Sequence, residues 1–153
     1  MHSTALEWRR VSPDLERPLA EFFGSIGAED EKFFHPHTFD AGQAQRISSY
    51  TGQDLYYVLV DGTAVLAYGL LRGWDEGFAI PSLGIIVARE ARGSGISALV
   101  MNLLHQAARR RGAPRVRLKV FEENAPAIAL YRSLGYEFKS REQGQLVGFF
   151  ELR

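Results

Sequence analysis

The apolar positions along the chain change period several times, and each change marks an element. Leu6 and Trp8 flank Glu7 across Ala5 to Val11, a period of two that predicts a first strand at a sheet edge. From Ser12 the period lengthens: Leu15, Leu19, Phe22, Phe23 and Ile26 fall on one helical face, with Ser12 as N-cap and Pro13 in the first turn, and the helix ends between Gly24 and Gly27. An acidic patch, Glu29 to Glu31, leads into an aromatic loop from Phe33 to Phe39, whose Pro36 bars a helix interior. Asp40 caps a second helix running to about Tyr50.

Leu55 to Val60 and Ala64 to Leu71 are partly alternating apolar runs joined by Asp61 and Gly62, a hairpin signal. The polar connection RGWDEGFA, residues 72–79, leads to a fourth strand and completes an antiparallel meander. Leu83, Ile85, Ile86 and Val87 read as that strand, mostly buried and ending near Ala88. From Ile96 the residues Leu99, Val100, Leu103, Leu104 and Ala107 recur at helical spacing. Arg109 to Arg111 then suit the negative end of a helix dipole, and Gly112 supplies the stop. A fifth strand follows at Val116 to Phe121 and a helix at about Ala125 to Leu134. Two closing strands, near Tyr136 to Arg141 and Leu146 to Glu151, surround Gln143 and Gly144. No repeat or linker interrupts this, so the expectation is one α/β domain over residues 1–153 with a mixed sheet.

Composition narrows the picture. Eighteen basic residues balance eighteen acidic ones in a chain that is 46% hydrophobic, which gives no reason to expect a nucleic-acid or anionic-membrane partner. Cysteine is absent, excluding a disulfide framework and a thiol nucleophile. No apolar run reaches membrane-span length and the N-terminal residues lack a signal-peptide core, so cytoplasm is the expected setting.

The chemistry concentrates between the fourth strand and the helix after it. Arg92, Gly93, Ser94 and Gly95 form a turn whose glycines let backbone amides approach a ligand at the positive end of a helix, and an anion, foremost a phosphate, is the expected occupant. A Walker loop is excluded because Ile96 and Ser97 stand where its lysine and hydroxyl residue belong. Gly93 and Gly95 give only half of a dinucleotide-binding fingerprint. The turn instead resembles the coenzyme A loop of the Gcn5-related N-acetyltransferase family, Q/R-x-x-G-x-G/A, with Arg92, Gly95 and Ser97 at the specified positions and Ser97 departing from the usual Gly or Ala. A second stretch, VRLKVFEENAPAIALYRSLGYEF (116–138), is similar to the family's other hallmark, with Asn124, Ala127, Ile128, Leu130, Tyr131, Gly135 and Tyr136 on its pattern.

The resemblance implies a β-α-α-β-β-β-α-β-α-β-β fold, its sheet splayed between strands four and five, and transfer of an acetyl group from acetyl-CoA to an amine by direct attack. The backbone of Ile85, Ile86 and Val87 would pair with the pantetheine arm. Arg92, Gly93, Ser94, Gly95, Ile96, Ser97 and Ala98 would hold the diphosphate, Asn124 would bond the coenzyme while also suiting a helix N-cap, and Tyr131 would be general acid to the departing thiolate. Where some relatives carry a glutamate in the fifth strand this chain has Lys119. Asp75 and Glu76 are therefore the candidate bases, with His35, His37 or water as substitutes. Phe34, His35, His37 and Trp74 are expected to contact the acceptor, a small-molecule amine. No metal is implied, and a homodimer is left open. Two other readings stay open as well: a non-catalytic acyl-CoA-binding module, and an acyltransferase using a longer donor or a hydroxyl acceptor.

Overall fold

The computed structural model describes residues 5–34 and 36–153. Seven strands, β1 (Leu6–Arg10), β2 (Leu55–Asp61), β3 (Ala64–Arg72), β4 (Ser82–Val87), β5 (Arg115–Phe121), β6 (Glu137–Glu142) and β7 (Gln145–Glu151), form one sheet in the order β1-β2-β3-β4-β5-β7-β6. The helices are α1 (Glu16–Gly24), α2 (Ala28–Glu31), α3 (Ala41–Ser48), α4 (Ile96–Arg110) and α5 (Ala125–Leu134). The mixed class and the order read from the pattern are those adopted. α2 adds a single helical turn at the acidic patch, where no apolar face marks it.

Ser12 does not act as the expected cap. Pro13 to Leu15 form a 3-10 turn before α1, and the Ser12 hydroxyl donates to the Asp14 carboxylate instead of accepting from a helix amide. Asp40 does cap α3, accepting from the Gln43 amide at 2.8 Å.

Strand alternation sorts side chains into two layers. On one face Tyr68 is fully buried beneath α1, its ring 5.2 Å from that of Phe23. α4 covers the other face with Val100, Met101 and Leu104, each at 0% exposure. Fully burying one such leucine contributes about 2 kcal/mol. On β5 the inward residues Val116, Leu118 and Val120 are buried, while Arg117 and Lys119 between them point to the α1 side.

The feature that positions the site is a break in the sheet. β1 to β4 are an antiparallel meander and β5, β7 and β6 a second antiparallel group, but β4 and β5 are parallel and paired only at Ser82↔Arg117, with the Arg117 amide donating to the Pro81 carbonyl at 2.9 Å. Beyond that point the strands diverge, which is the expected splay. Facing backbone groups on the two strands are thereby left without strand partners, open to a ligand.

Candidate active site

A cavity of about 770 Å³ fills the splay. Its walls come from β4 (Leu83 to Val87), β5 (Arg117 to Val120), α5 with Asn124 before it, the glycine turn, the segment around Phe33, Phe34 and Pro36, and the β6–β7 hairpin through Gln143 and Gln145. The expected coenzyme residues Ile85, Ile86, Val87, Arg92, Gly93, Ser97 and Asn124 line it, as do Tyr131 and Phe34.

The turn leaves backbone amides open. Gly93 and Gly95 have φ of +79° and +83°, the left-handed region that a side chain disfavours, and at neither would a Cβ meet anything within 4 Å. The glycines are thus required by backbone conformation, and they leave open space above it. No side chain caps α4, so the first amides of that helix, at Ile96, Ser97 and Ala98, lack both intrahelical and side-chain acceptors. Ser94, Gly95, Ile96 and Ala98 do not themselves line the cavity. Ser94 instead turns its hydroxyl onto the Ala91 carbonyl.

Arg92 is engaged differently from a phosphate-binding side chain. Its guanidinium donates to the Val87 carbonyl at 3.2 and 3.1 Å and to Asp30 at 3.1 Å. It therefore ties the turn to the end of β4 and to α2.

Asn124 caps α5 weakly, its side-chain oxygen accepting from the Ala127 amide at 3.4 Å, which leaves its amide nitrogen to donate elsewhere. The Tyr131 hydroxyl makes no hydrogen bond to the described residues, and burial pushes its pKa up to about 12. At neutral pH it is a protonated donor facing the cavity. Beside it lies Tyr136, ring centroids 5.8 Å apart, which in turn shares a 2.7 Å hydrogen bond with His105.

Four residues expected at the acceptor or base position sit outside the cavity wall. Asp75 accepts from the Gln53 amide at 2.8 Å and from the Tyr50 hydroxyl, and these bonds, Tyr50 first, hold its carboxyl below the ordinary range, away from the near-neutral value that suits a base. Trp74 lies under the Arg111 guanidinium, 4.6 Å from its ring, with its amide on buried Asp54 at 2.9 Å. Glu76 follows in the same tethered turn, its amide on the Gly73 carbonyl. His37 is packed against Phe23, Phe34, Phe39 and Tyr68; its Nδ1 donates to the Thr38 carbonyl and its Nε2 accepts from the Tyr68 hydroxyl, both at 2.7 Å. Both ring nitrogens are occupied, and burial is the main cause holding its pKa down. His35 lies outside the described residues.

In their place the structure brings Arg72, Ser82, Arg117, Lys119 and Gln145 to the cavity. The alternation of β5 could have signalled Arg117 and Lys119, since they occupy its non-core positions. Arg72 and Asp30 carry no comparable sequence mark. Lys119 lies 3.2 Å from Glu142, which also meets Arg117 at 2.9 Å; Lys119 and then Arg117 hold the Glu142 carboxyl below its usual value. Among the described residues no cluster of three or more His, Asp or Glu side chains is placed to hold a metal ion, and no helix is long and apolar enough to cross a membrane.

The family model for the acetyltransferase (GNAT) family matches residues 18–136, and the chain belongs to that family. It is 38% identical over 77 residues, half of its length, to a streptothricin acetyltransferase of Streptomyces lavendulae. The chain spans less than half the length of the curated relatives it matches, 38% of this one. Its fold is similar to that of the GNAT domain of S. lividans PAT, with a TM-score of 0.81 at 17% identity, covering 97% of this chain and 96% of that one. It is also similar to yncA of Salmonella typhimurium, solved with its cofactor acetyl-CoA, with a TM-score of 0.76 at 17% identity over 97% and 95% of the two chains.

Proposed function

We propose that the chain is a cytoplasmic N-acetyltransferase that moves the acetyl group of acetyl-CoA to the amine of a small molecule by direct attack. One observation carries this reading: the unpaired edge of β4, the glycine turn into the uncapped start of α4, through Gly93 and Ser97, and the unpartnered Tyr131 hydroxyl all line a single cavity. These match, in order, an extended amide-bearing arm, a diphosphate and a thioester sulfur.

Acetyl-CoA, when bound, supplies the acyl group already activated as a thioester. The chain's own residues do the rest. Amides at Gly93 to Ala98 hold the diphosphate, Asn124 donates to the coenzyme, and a β4 amide polarises the carbonyl. The amine nitrogen bonds the acyl carbon, the carbon–sulfur bond breaks with its electron pair leaving on sulfur as a thiolate, and the amine loses a proton to water. Tyr131 donates to the sulfur. Because an ordinary thiol has a pKa of about 8.5, a phenol raised to about 12 does not hand over its proton in advance. It stabilises the thiolate as charge develops.

The base question takes a different form from the sequence expectation. The cavity wall carries one carboxylate, Asp30, and Arg92 occupies it. Arg72, Arg117 and Lys119 lie around the acceptor side, and like charges disfavour the ammonium form of a bound amine. The cleft thus favours the neutral nucleophile electrostatically, and water takes the proton.

The test is thiol release from acetyl-CoA with a panel of amines, the product identified by mass. Transfer to an amine with one thiol per acetamide is expected. Tight acetyl-CoA binding without turnover on any amine would instead indicate a binding module.

A further inference from the structure

We propose that the acceptor amine also carries a carboxylate, and that Arg72 and Arg117 bind it at the closed end of the cleft. This rests on the transferase reading above and adds the class of acceptor, a small amino carboxylate.

Register sets Arg72 opposite Ser82 and Ser82 opposite Arg117. Residues directly opposite in a sheet share a face, so two guanidinium groups flank one hydroxyl in a single row where β4 and β5 last touch. All three line the cavity. Arg72 donates to the Pro36 carbonyl at 2.9 Å and takes part in none of the ion pairs among the described residues. A guanidinium has five donors in a fixed fork suited to a carboxylate, and a half-buried one left without an anion is costly. Arg117 shares Glu142 with Lys119, so one carboxylate serves two cations.

Gln145 adds a second kind of observation. It is 6% exposed and lines the same cavity, where its carboxamide can both donate and accept.

The charge count points the same way. Arg72, Arg92, Arg117 and Lys119 line the cavity against Asp30, with Glu142 beside it. A polyamine would bring further ammonium groups into a cleft already rich in cations. An amino carboxylate brings the opposite charge, and pinning it at one end orients its nitrogen toward the open part of the splay.

The experiment compares amino acids, their carboxamides and a linear polyamine as acceptors, for the parent and for Arg72→Gln, Arg117→Gln and Arg72→Lys, with acetyl-CoA affinity measured separately by calorimetry. For the parent, kcat/KM should favour the carboxylate over its carboxamide by about ten- to hundredfold, the range for hydrogen bonds to charged groups. Arg72→Gln should erase that preference through KM, lower kcat/KM for the carboxylate at least tenfold more than for the carboxamide, leave acetyl-CoA affinity unchanged, and be partly rescued by Arg72→Lys. Equal use of carboxylate and carboxamide, or preference for the polyamine, overturns the proposal. If acetyl-CoA is bound but no amine is acetylated, the transferase reading fails on its own. The anion site is then read by calorimetry, with an N-acetyl amino acid against its carboxamide on the coenzyme A-loaded protein: selective binding of the former, lost in Arg72→Gln or Arg117→Gln, keeps the site, and its absence removes it.

Discussion

Asp30 on α2 meets the Arg92 guanidinium at 3.0 Å, while Arg92 holds the Val87 carbonyl at the end of β4. The short helix before the aromatic loop is thereby fastened to the glycine turn, 62 residues further along the chain. Arg92 lowers the Asp30 pKa from its ordinary 3.8, so the folded state binds fewer protons there than the unfolded one. The stability from this pair is complete above about pH 4 and is lost as pH falls through the lower folded value.

The first prediction follows from that link. Asp30→Asn should weaken acetyl-CoA binding modestly, by about two- to fivefold, the scale of a partly exposed ion pair, because the turn loses one anchor. Calorimetry on the variant measures it. An unchanged affinity would show that Val87 alone holds Arg92.

Gly95 gives a sharper test. A valine at φ +83° carries backbone strain of about 1–3 kcal/mol and puts a branched side chain over the amides that would take the diphosphate. Gly95→Val should lower acetyl-CoA affinity at least tenfold while circular dichroism remains native. Retained affinity would place the phosphate elsewhere.

Tyr131→Phe removes the donor and keeps the ring. Acetyl-CoA affinity should hold while kcat drops by about 10²- to 10⁴-fold, the range for a positioned proton donor. A donor with a more acidic leaving thiol should lose less, since its thiolate needs less stabilisation. Parent-like kcat with acetyl-CoA would reduce Tyr131 to packing.

The pH–rate profile separates the two accounts of the base. With water as proton acceptor in a cationic cleft, the rate should rise with pH through an apparent pKa below that of the free amine, and the Asp75→Asn, Glu76→Gln double variant should keep that profile. Its melting temperature should fall, because Asp75 anchors Tyr50 and Gln53. A profile displaced by the double variant would return the base to that turn.

His105 predicts a stability dependence. Burial, then Arg109, lowers its pKa from 6.5 to about 4, and its ring stacks on Phe150 with centroids 4.1 Å apart. The unfolded state takes up the proton first, so stability should be complete above about pH 6.5 and decline toward pH 4. Half-buried His37 adds to the same slope. His105→Gln should keep a polar partner for Tyr136 and flatten the decline of melting temperature over that interval.

The periodicities carried most of the fold in readable form, because burial alone dictates them: the helical spacing from Ile96 to Ala107, the apolar run of β4 and the alternation of β5 each report which side of an element meets the core. The glycine turn and the Asn124 to Gly135 stretch were legible too, since both are local and their backbone conformation is set within a few residues. The acceptor side was not. Whether Asp75, His37 and Trp74 reach the cleft depended on which distant groups claimed them, and Tyr50, Tyr68 and Arg111 did so. Arg72, Ser82 and Arg117 meet only because three strands pair in one register. Such contacts join positions tens of residues apart, and no local period encodes them, so the tertiary structure alone decided which of these side chains face the cavity.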